Sequence, residues 1–164
     1  MRIEPLTAAL GAELSDIDLG GLDAEMAAEL RKAILEYKVV GIRGQFLDDA
    51  GHVRLAESLG EPWIHPMDRL AGVDSAEPSE LRVKSDHQLL TDRWHLDVLY
   101  APNPPAVTEH ATNPSVTCRW RWRNGDVVIW DERCTAHFAV RDPWEGERVL
   151  RRLLVEGDCP VTAN

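Results

Sequence analysis

The chain has 164 residues, of which 44 % are hydrophobic and 28 % charged, a composition typical of one globular domain. Its formal net charge of −10 argues against a nonspecific nucleic-acid binder, which depends on clustered positive charge. No run approaches the roughly 20 apolar residues of a membrane helix, and the N-terminus lacks the apolar stretch of a signal peptide. We therefore predict a single cytoplasmic domain over residues 1–164, with neither nucleic acid nor membrane as a partner.

The first third of the chain predicts two helices around a strand. Asp23 is placed to cap a helix that runs through Lys38, and apolar residues recur on one face of it at Met26, Leu30, Ile34 and Tyr37. The β-branched run Val39–Ile42 is typical of a short interior strand. A second helix begins at Asp48 or Asp49 and ends at Gly60.

The rest of the chain predicts mainly strands. Residues 69–85 are predicted to form a polar surface loop with a short strand at 81–83. From Trp94 onward, turn residues separate five predicted strands: 94–100, 117–123, 126–130, 135–140 and 148–156. The alternating Arg119–Arg123 segment could stack on nucleic acid, but a half-buried strand explains it better in so acidic a protein.

The three cysteines argue for a reducing compartment. Cys118, Cys134 and Cys159 are odd in number and widely spaced, with no Cys-x-x-Cys pair. This pattern favours neither a disulfide framework nor a zinc knuckle. We predict that all three are packing residues.

The trio His95-Leu96-Asp97 indicates a metal site. On a strand, residues i and i+2 point to the same side, so the imidazole and the carboxylate face one point. An oxygenase-type iron(II) site needs two histidines and one carboxylate. His137 is the best candidate for the second histidine, because it follows the apolar strand that ends near Trp130. Taken alone, a histidine such as His137 is more often a hydrogen-bonded, partly buried residue than a ligand, and an arginine such as Arg148 is usually a surface residue.

The order of these residues along the chain resembles that of the taurine dioxygenase (TauD/TfdA) family of iron(II)- and 2-oxoglutarate-dependent dioxygenases. The islands that carry the resemblance lie in the family's order along nearly the whole chain. They are Val39–Arg43, Leu59–Pro62 with Ile64–Pro66, Trp94–Val98, Pro104–Ala106, Arg119–Trp122 with Gly125–Val127, Ile129–Arg133 through His137, and Arg148–Arg152 with Gly157-Asp158.

The resemblance implies a set of functional residues. It makes His95, Asp97 and His137 the iron ligands, and it pairs Arg148 with the distal carboxylate of the cosubstrate 2-oxoglutarate, which a guanidinium can bind bidentately. His65 and Arg152 match positions that contact the anionic group of the substrate in sulfonate-oxidising members. The implied partners are a small anionic organic substrate and O₂, and relatives commonly form dimers or tetramers.

The implied fold is mixed α/β and mainly β, with a double-stranded β-helix (jelly roll, cupin-like) core behind N-terminal helices. That core requires about eight strands, yet Asp97 and His137 lie only 40 residues apart and the family's interval is much longer. We therefore expect that part of the family's chain is missing near residues 107–108. Thr91 and Asp68 also replace an asparagine and an aromatic residue of taurine-oxidising members, which argues against taurine itself.

The function implied by the resemblance is hydroxylation of a sulfonate (taurine-like) or an alkyl sulfate. Hydroxylation beside the heteroatom gives an unstable product that releases sulfite or sulfate, while 2-oxoglutarate yields succinate and CO₂. Two alternatives stay open at this point. One is a non-catalytic shortened relative that keeps a metal site but cannot hold the cosubstrate, and the other is a cupin-like metalloenzyme that uses the same ligands for isomerisation or hydrolysis.

Overall fold

The computed structural model of this chain describes residues 1–64, 69–84, 94–95, 113–140 and 145–157. The α-helices that lie wholly within these ranges are α1 (Ala24–Tyr37) and α2 (Asp49–Leu59). The strands are, in chain order, β1 (Arg2–Pro5), β2 (Ala12–Ser15), β3 (Val39–Ile42), β4 (Pro62–Trp63), β5 (Ser79–Lys84), β6 (Val127–Trp130), β7 (Glu147–Arg152) and β8 (Leu154–Val155). None of the described helices is long and apolar enough to cross a membrane.

Helix α1 begins and ends where the sequence predicts. The Asp23 carboxylate accepts a hydrogen bond of 2.8 Å from the backbone N–H of Met26, which satisfies one of the free donors of the first turn. At the other end Lys38 adopts a positive φ of 67°, and its N–H bonds back to the carbonyl of Ile34. The predicted apolar face is confirmed, because Leu30 is fully buried while Ile34 and Tyr37 pack against the core.

Helix α2 uses the same signals. The Asp48 carboxylate accepts a 2.7 Å hydrogen bond from the N–H of Gly51, so Asp48 is the capping residue of the two candidates. Gly60 ends the helix, as predicted. Leu55 and Leu59 are buried on the inner face.

The core lies between these helices and a four-stranded sheet of order β1-β2-β3-β6. Strands β2 and β3 are parallel neighbours joined through α1, and β6 pairs antiparallel with β3, with Val39 opposite Trp130. Burying each large aliphatic side chain here contributes about 1.5–3 kcal/mol to folding. The buried core residues are Ala12, Leu14, Leu19, Leu30, Ala33, Val40, Ile42, Leu55 and Leu59.

A second ladder pairs β5 with β7 along six residues. On one face, Arg82 bonds to Glu80 at 2.5 Å and to Glu147 at 3.0 Å, and Arg151 pairs at 2.5 Å with Asp49 of α2. Glu80 lies directly opposite Arg151 and pairs with it at 3.7 Å, which favours this register, since a slip of one residue would move each charge to the other face. The predicted strand at 81–83 is therefore confirmed within a longer one.

The predicted strand 148–156 is confirmed but divided at Leu153. Its first part, β7, pairs with β5, and its second part, β8, pairs with β4. The chain thus changes partner between Arg152 and Leu154. Arg152, at the end of β7, lines the same groove as Ile64, which follows β4.

The prediction of a strand at 117–123 was wrong, because these residues form no ladder in the structure. Trp120 turns inward instead. Its ring lies 3.6 Å from the guanidinium carbon of Arg43, and its Nε1 donates a 3.1 Å hydrogen bond to the Asp126 carboxylate. These tertiary contacts, together with a 2.8 Å bond from the N–H of Arg123 to Asp126, hold the segment without a partner strand.

The strand predicted at 135–140 was also wrong in extent, since only His137 takes part in a β-bridge. Conversely, β1 and β2 were not predicted. The described residues bear out the mixed α/β character of the predicted fold, while the double-stranded β-helix stays a prediction.

Candidate metal centre

Two of the three predicted ligands, His95 and His137, lie side by side. They form an isolated antiparallel bridge in which each backbone N–H donates to the other residue's carbonyl, at 3.0 and 2.9 Å. Residues directly opposite each other in such a bridge project their side chains to the same face. The two imidazole rings accordingly lie 4.1 Å apart between centroids, tilted by 54°.

Aromatic residues flank this pair. The ring of Trp130, the last residue of β6, lies 5.3 Å from that of His137. Trp94 and Phe138, the neighbours of the two histidines, pair with each other at 5.8 Å. Successive side chains of an extended backbone point to opposite faces, so the Trp94 and Phe138 pair belongs to the other side of the bridge.

The turn between β6 and His137 is built on Asp131. Its carboxylate accepts hydrogen bonds from Arg133 Nε at 2.9 Å and Nη2 at 2.8 Å, an arrangement in which the guanidinium binds both oxygens. The hydrogen bonds from Arg133 hold the pKa of Asp131 below its usual value, against the opposing effect of burial. Asp131 and Arg133 belong to the Ile129–Arg133 island of the sequence, which carried the family resemblance without a separate role for either residue.

Arg148 and Arg152 lie four positions apart and so share a face of β7. Arg148 is partly buried and lies opposite the buried Val83, whereas Arg152 is exposed and lies opposite Ser79. Arg152 also lines a surface groove together with Trp63 and Ile64.

Two predicted site residues, Asp97 and His65, lie outside the described residues, as does the expected break near residues 107–108. Within the described ranges, no group of three His, Cys, Asp or Glu side chains is arranged to hold a metal. The two adjacent imidazoles fit iron(II) chemically, because they would supply the nitrogen ligands of a two-histidine, one-carboxylate site.

Comparison with known proteins identifies the family. The sequence model of the taurine catabolism dioxygenase TauD, TfdA family matches residues 2–108 and 106–154. This chain belongs to the TauD/TfdA family. The two matches meet at residues 106–108 and together span nearly the whole chain.

Individual curated relatives match shorter stretches. An alkylsulfatase of Acinetobacter baylyi is 46% identical over 58 residues, which make up 35% of this chain and 18% of the relative. An alpha-ketoglutarate-dependent sulfate ester dioxygenase of Pseudomonas putida is 48% identical over 52 residues, 32% of this chain and 17% of the relative. The matched segments thus span less than a fifth of the length of these curated relatives.

The fold of this chain is similar to that of a solved structure. The crystal structure of a taurine dioxygenase from Burkholderia xenovorans superposes with a TM-score of 0.72 at 24% identity, covering 96% of this chain and 91% of that one. At this level of identity the likeness concerns the fold alone.

Proposed function

We propose that this chain is an iron(II)- and 2-oxoglutarate-dependent dioxygenase whose metal ligands are His95, Asp97 and His137. The observation that carries the proposal is the bridge that sets the rings of His95 and His137 4.1 Å apart on one face. Asp97 follows His95 by two positions, the spacing at which an extended chain returns a side chain to the same face. One histidine pair and one carboxylate complete the ligand set of this class of iron site.

Iron(II) bound here would supply the oxygen chemistry that hydroxylates a substrate C–H bond while 2-oxoglutarate is converted to succinate and CO₂. The protein's own part is to hold both organic molecules in line with the metal and to keep water out. Trp130 contributes to that enclosure, since its ring packs beside His137.

Arg148 is proposed to anchor the distal carboxylate of 2-oxoglutarate. Its position on β7 supports this role, because its side chain is partly buried beside Val83 and is thus restricted in direction. A restricted guanidinium binds a carboxylate with little further loss of conformational entropy. Replacing Arg148 by lysine would keep the charge but lose the paired hydrogen bonds.

His65 and Arg152 are proposed to contact the anionic group of the substrate. The support is the surface groove that Arg152 lines together with Trp63, which lies two positions before His65 in the sequence. Ile64, the residue before His65, lines the same groove as Arg152.

The proposed substrate is a small organic sulfonate or alkyl sulfate, from which hydroxylation beside the heteroatom would release sulfite or sulfate. The cationic Arg152 at the groove supports an anionic substrate. The names of the alkylsulfatase and the sulfate ester dioxygenase support the sulfate-ester class.

We also propose that a segment of the family's chain is missing near residues 107–108. The support is that the family matches this chain in two pieces that meet at residues 106–108. The 40-residue interval between Asp97 and His137 points the same way. This short interval favours a second candidate function, a non-catalytic relative that binds metal but does not retain the cosubstrate.

Oxygen consumption separates the two candidates. With iron(II), 2-oxoglutarate and an alkyl sulfate, a dioxygenase consumes O₂ and forms succinate and sulfate, and both products disappear in His95→Ala. His52→Ala is the matched control, because it removes a histidine that is not among the proposed ligands. His52 lies on α2 near Asp49 and Arg151. Iron binding without O₂ consumption would identify the non-catalytic relative, and unchanged turnover in His95→Ala would refute the triad.

A further inference from the structure

We propose that Asp131, through its ion pair with Arg133, is a positioning residue that holds His137 in the bridge with His95. The inference deepens the proposed function and rests on it, since the bridge matters for activity only if the two histidines bind a metal. It concerns residues that contact neither metal nor substrate in the proposal. Its evidence is the set of contacts around the turn that follows β6.

The Asp131 carboxylate is held on both oxygens. Arg133 donates from Nε and Nη2 at 2.9 and 2.8 Å, and its backbone N–H adds a third bond of 3.1 Å. The carboxylate side chain is only 9% exposed. A paired, little-exposed carboxylate with three donors fixes its own direction and that of the guanidinium.

The backbone of Asp131 ties this ion pair to the rest of the fold. Its N–H donates a 2.9 Å hydrogen bond to the carbonyl of Lys38, at the end of α1. Its carbonyl accepts from the N–H of Cys134 at 3.2 Å and from the Thr135 hydroxyl at 2.8 Å. The turn is therefore fixed at both of its ends, and Thr135 lies two residues before His137.

Arg133 also reaches the chain after β8. The stem of its side chain lies beside Gly157, where an added Cβ would lie 3.5 Å from Arg133 Cδ. The same side chain thus contacts the ligand-bearing turn and the end of the segment that carries Arg148 and Arg152. Loss of the ion pair is expected to loosen the turn and, with it, the isolated bridge, which no neighbouring ladder hydrogen bond supports within the described residues.

Amide hydrogen exchange in the metal-free protein measures the bridge directly. In Asp131→Asn, the His95 and His137 amides should exchange about tenfold faster relative to the core amides of Leu14 and Val40, since local opening is separate from global unfolding. Arg133→Lys keeps the charge and should give an intermediate rate. If Asp131 only stabilised the fold as a whole, exchange at all four amides would instead accelerate by the same factor.

Cobalt(II) titration, followed by visible absorption, supplies a second readout. Residues that orient ligands typically change metal affinity by about 10–100-fold, and we expect a loss of this size in Asp131→Asn. Asp126→Asn is the control, because Asp126 pairs with Arg43 in an ion pair that contacts the Trp120 segment instead of the turn. Asp126→Asn should not speed exchange at His95 and His137 more than at the core amides, and it should leave the cobalt affinity unchanged.

The outcomes separate this inference from the proposed function. If wild-type protein binds no cobalt(II), the proposed metal site is wrong, and the exchange rates still decide whether Asp131 holds the bridge. If wild-type protein binds cobalt(II) and His137→Ala does not, the proposed metal site is supported. Unchanged cobalt affinity and unchanged relative exchange rates in Asp131→Asn would then overturn the positioning role and leave the metal site standing.

Discussion

The indole of Trp120 occupies the space into which a side chain at Gly41 would project. A Cβ built on Gly41 would lie 2.3 Å from Trp120 Cζ3, far inside van der Waals contact, and Gly41 is buried in the middle of β3. Glycine is required here by the close approach of the ring.

Gly41→Ala is therefore expected to destabilise the protein by about 1–3 kcal/mol, the usual cost of overpacking. Urea unfolding measures the change. The double variant Gly41→Ala/Trp120→Leu, which removes the clashing atoms, should lose much less than the sum of the two single changes. Strict additivity in this cycle would contradict the assigned contact.

A second prediction concerns the ion pair of Arg43 with Asp126. The Asp126 side chain is 1% exposed, and Arg43 supplies its counter-charge within the described residues, while Trp120 Nε1 and the N–H of Arg123 add hydrogen bonds. Arg43→Leu should cost about 3 kcal/mol, because it leaves a buried carboxylate uncompensated. The double variant Arg43→Leu/Asp126→Leu should recover part of that loss. A double variant less stable than Arg43→Leu would contradict this account.

A third prediction concerns pH. The Arg133 hydrogen bonds lower the pKa of Asp131 in the folded protein, so they stabilise the fold fully above the carboxyl's unfolded value of about 3.9. This contribution is lost as the pH falls through the lower folded pKa. Asp131→Asn should thus cost about 1–2 kcal/mol near neutral pH and progressively less in acid. Urea unfolding measures the stability difference between wild-type protein and Asp131→Asn. A difference that stays constant or grows on acidification would contradict the prediction.

A fourth prediction concerns the thiols. Cys118 is half-buried against Gly11, as expected of a packing residue, but Cys134 is exposed in the turn after β6, so its assignment as a packing residue was wrong. Burial raises the pKa of both thiols, and Asp131 adds to the effect at Cys134. Under native conditions, a thiol reagent should modify Cys134 before Cys118, yet more slowly than a free thiol at the same pH. Peptide mapping gives the order, and faster labelling of Cys118 would contradict it.

Local signals account for the elements that the sequence predicted correctly. Asp23 and Asp48 cap their helices through bonds to residues three positions on, and Gly60 ends α2, so each signal lies within the element that it defines. The β-branched run of β3 is equally local. Such features are readable without knowledge of the fold.

The predictions that were wrong or missing concern contacts between residues that are distant in sequence. Strands β1 and β2 are defined by pairing with each other and, for β2, with β3, and each is only four residues long, so its alternation is too brief to predict a strand. The segment 117–123 alternates like a strand, yet the contacts of Trp120 with Arg43 and Asp126 hold it outside any ladder. Tertiary contacts outweighed local pattern in both cases.

In the candidate site, too, some features follow from local sequence signals and others depend on contacts between distant residues. The His95 and Asp97 spacing is a local strand signal, whereas His137 was chosen for its position after a predicted strand and for the family resemblance, because its bridge to His95 joins distant parts of the chain. The role of Asp131 could not be predicted from the pattern Asp-x-Arg, which becomes meaningful only with the bonds to Lys38 and Thr135 in view.

Iron binding by the two histidines is the most direct test of the central claim. In anaerobic equilibrium dialysis with iron(II), wild-type protein and His52→Ala should each retain one equivalent of metal, whereas His95→Ala and His137→Ala should each retain far less. Full iron occupancy in both His95→Ala and His137→Ala would contradict the assignment of this pair as the metal centre.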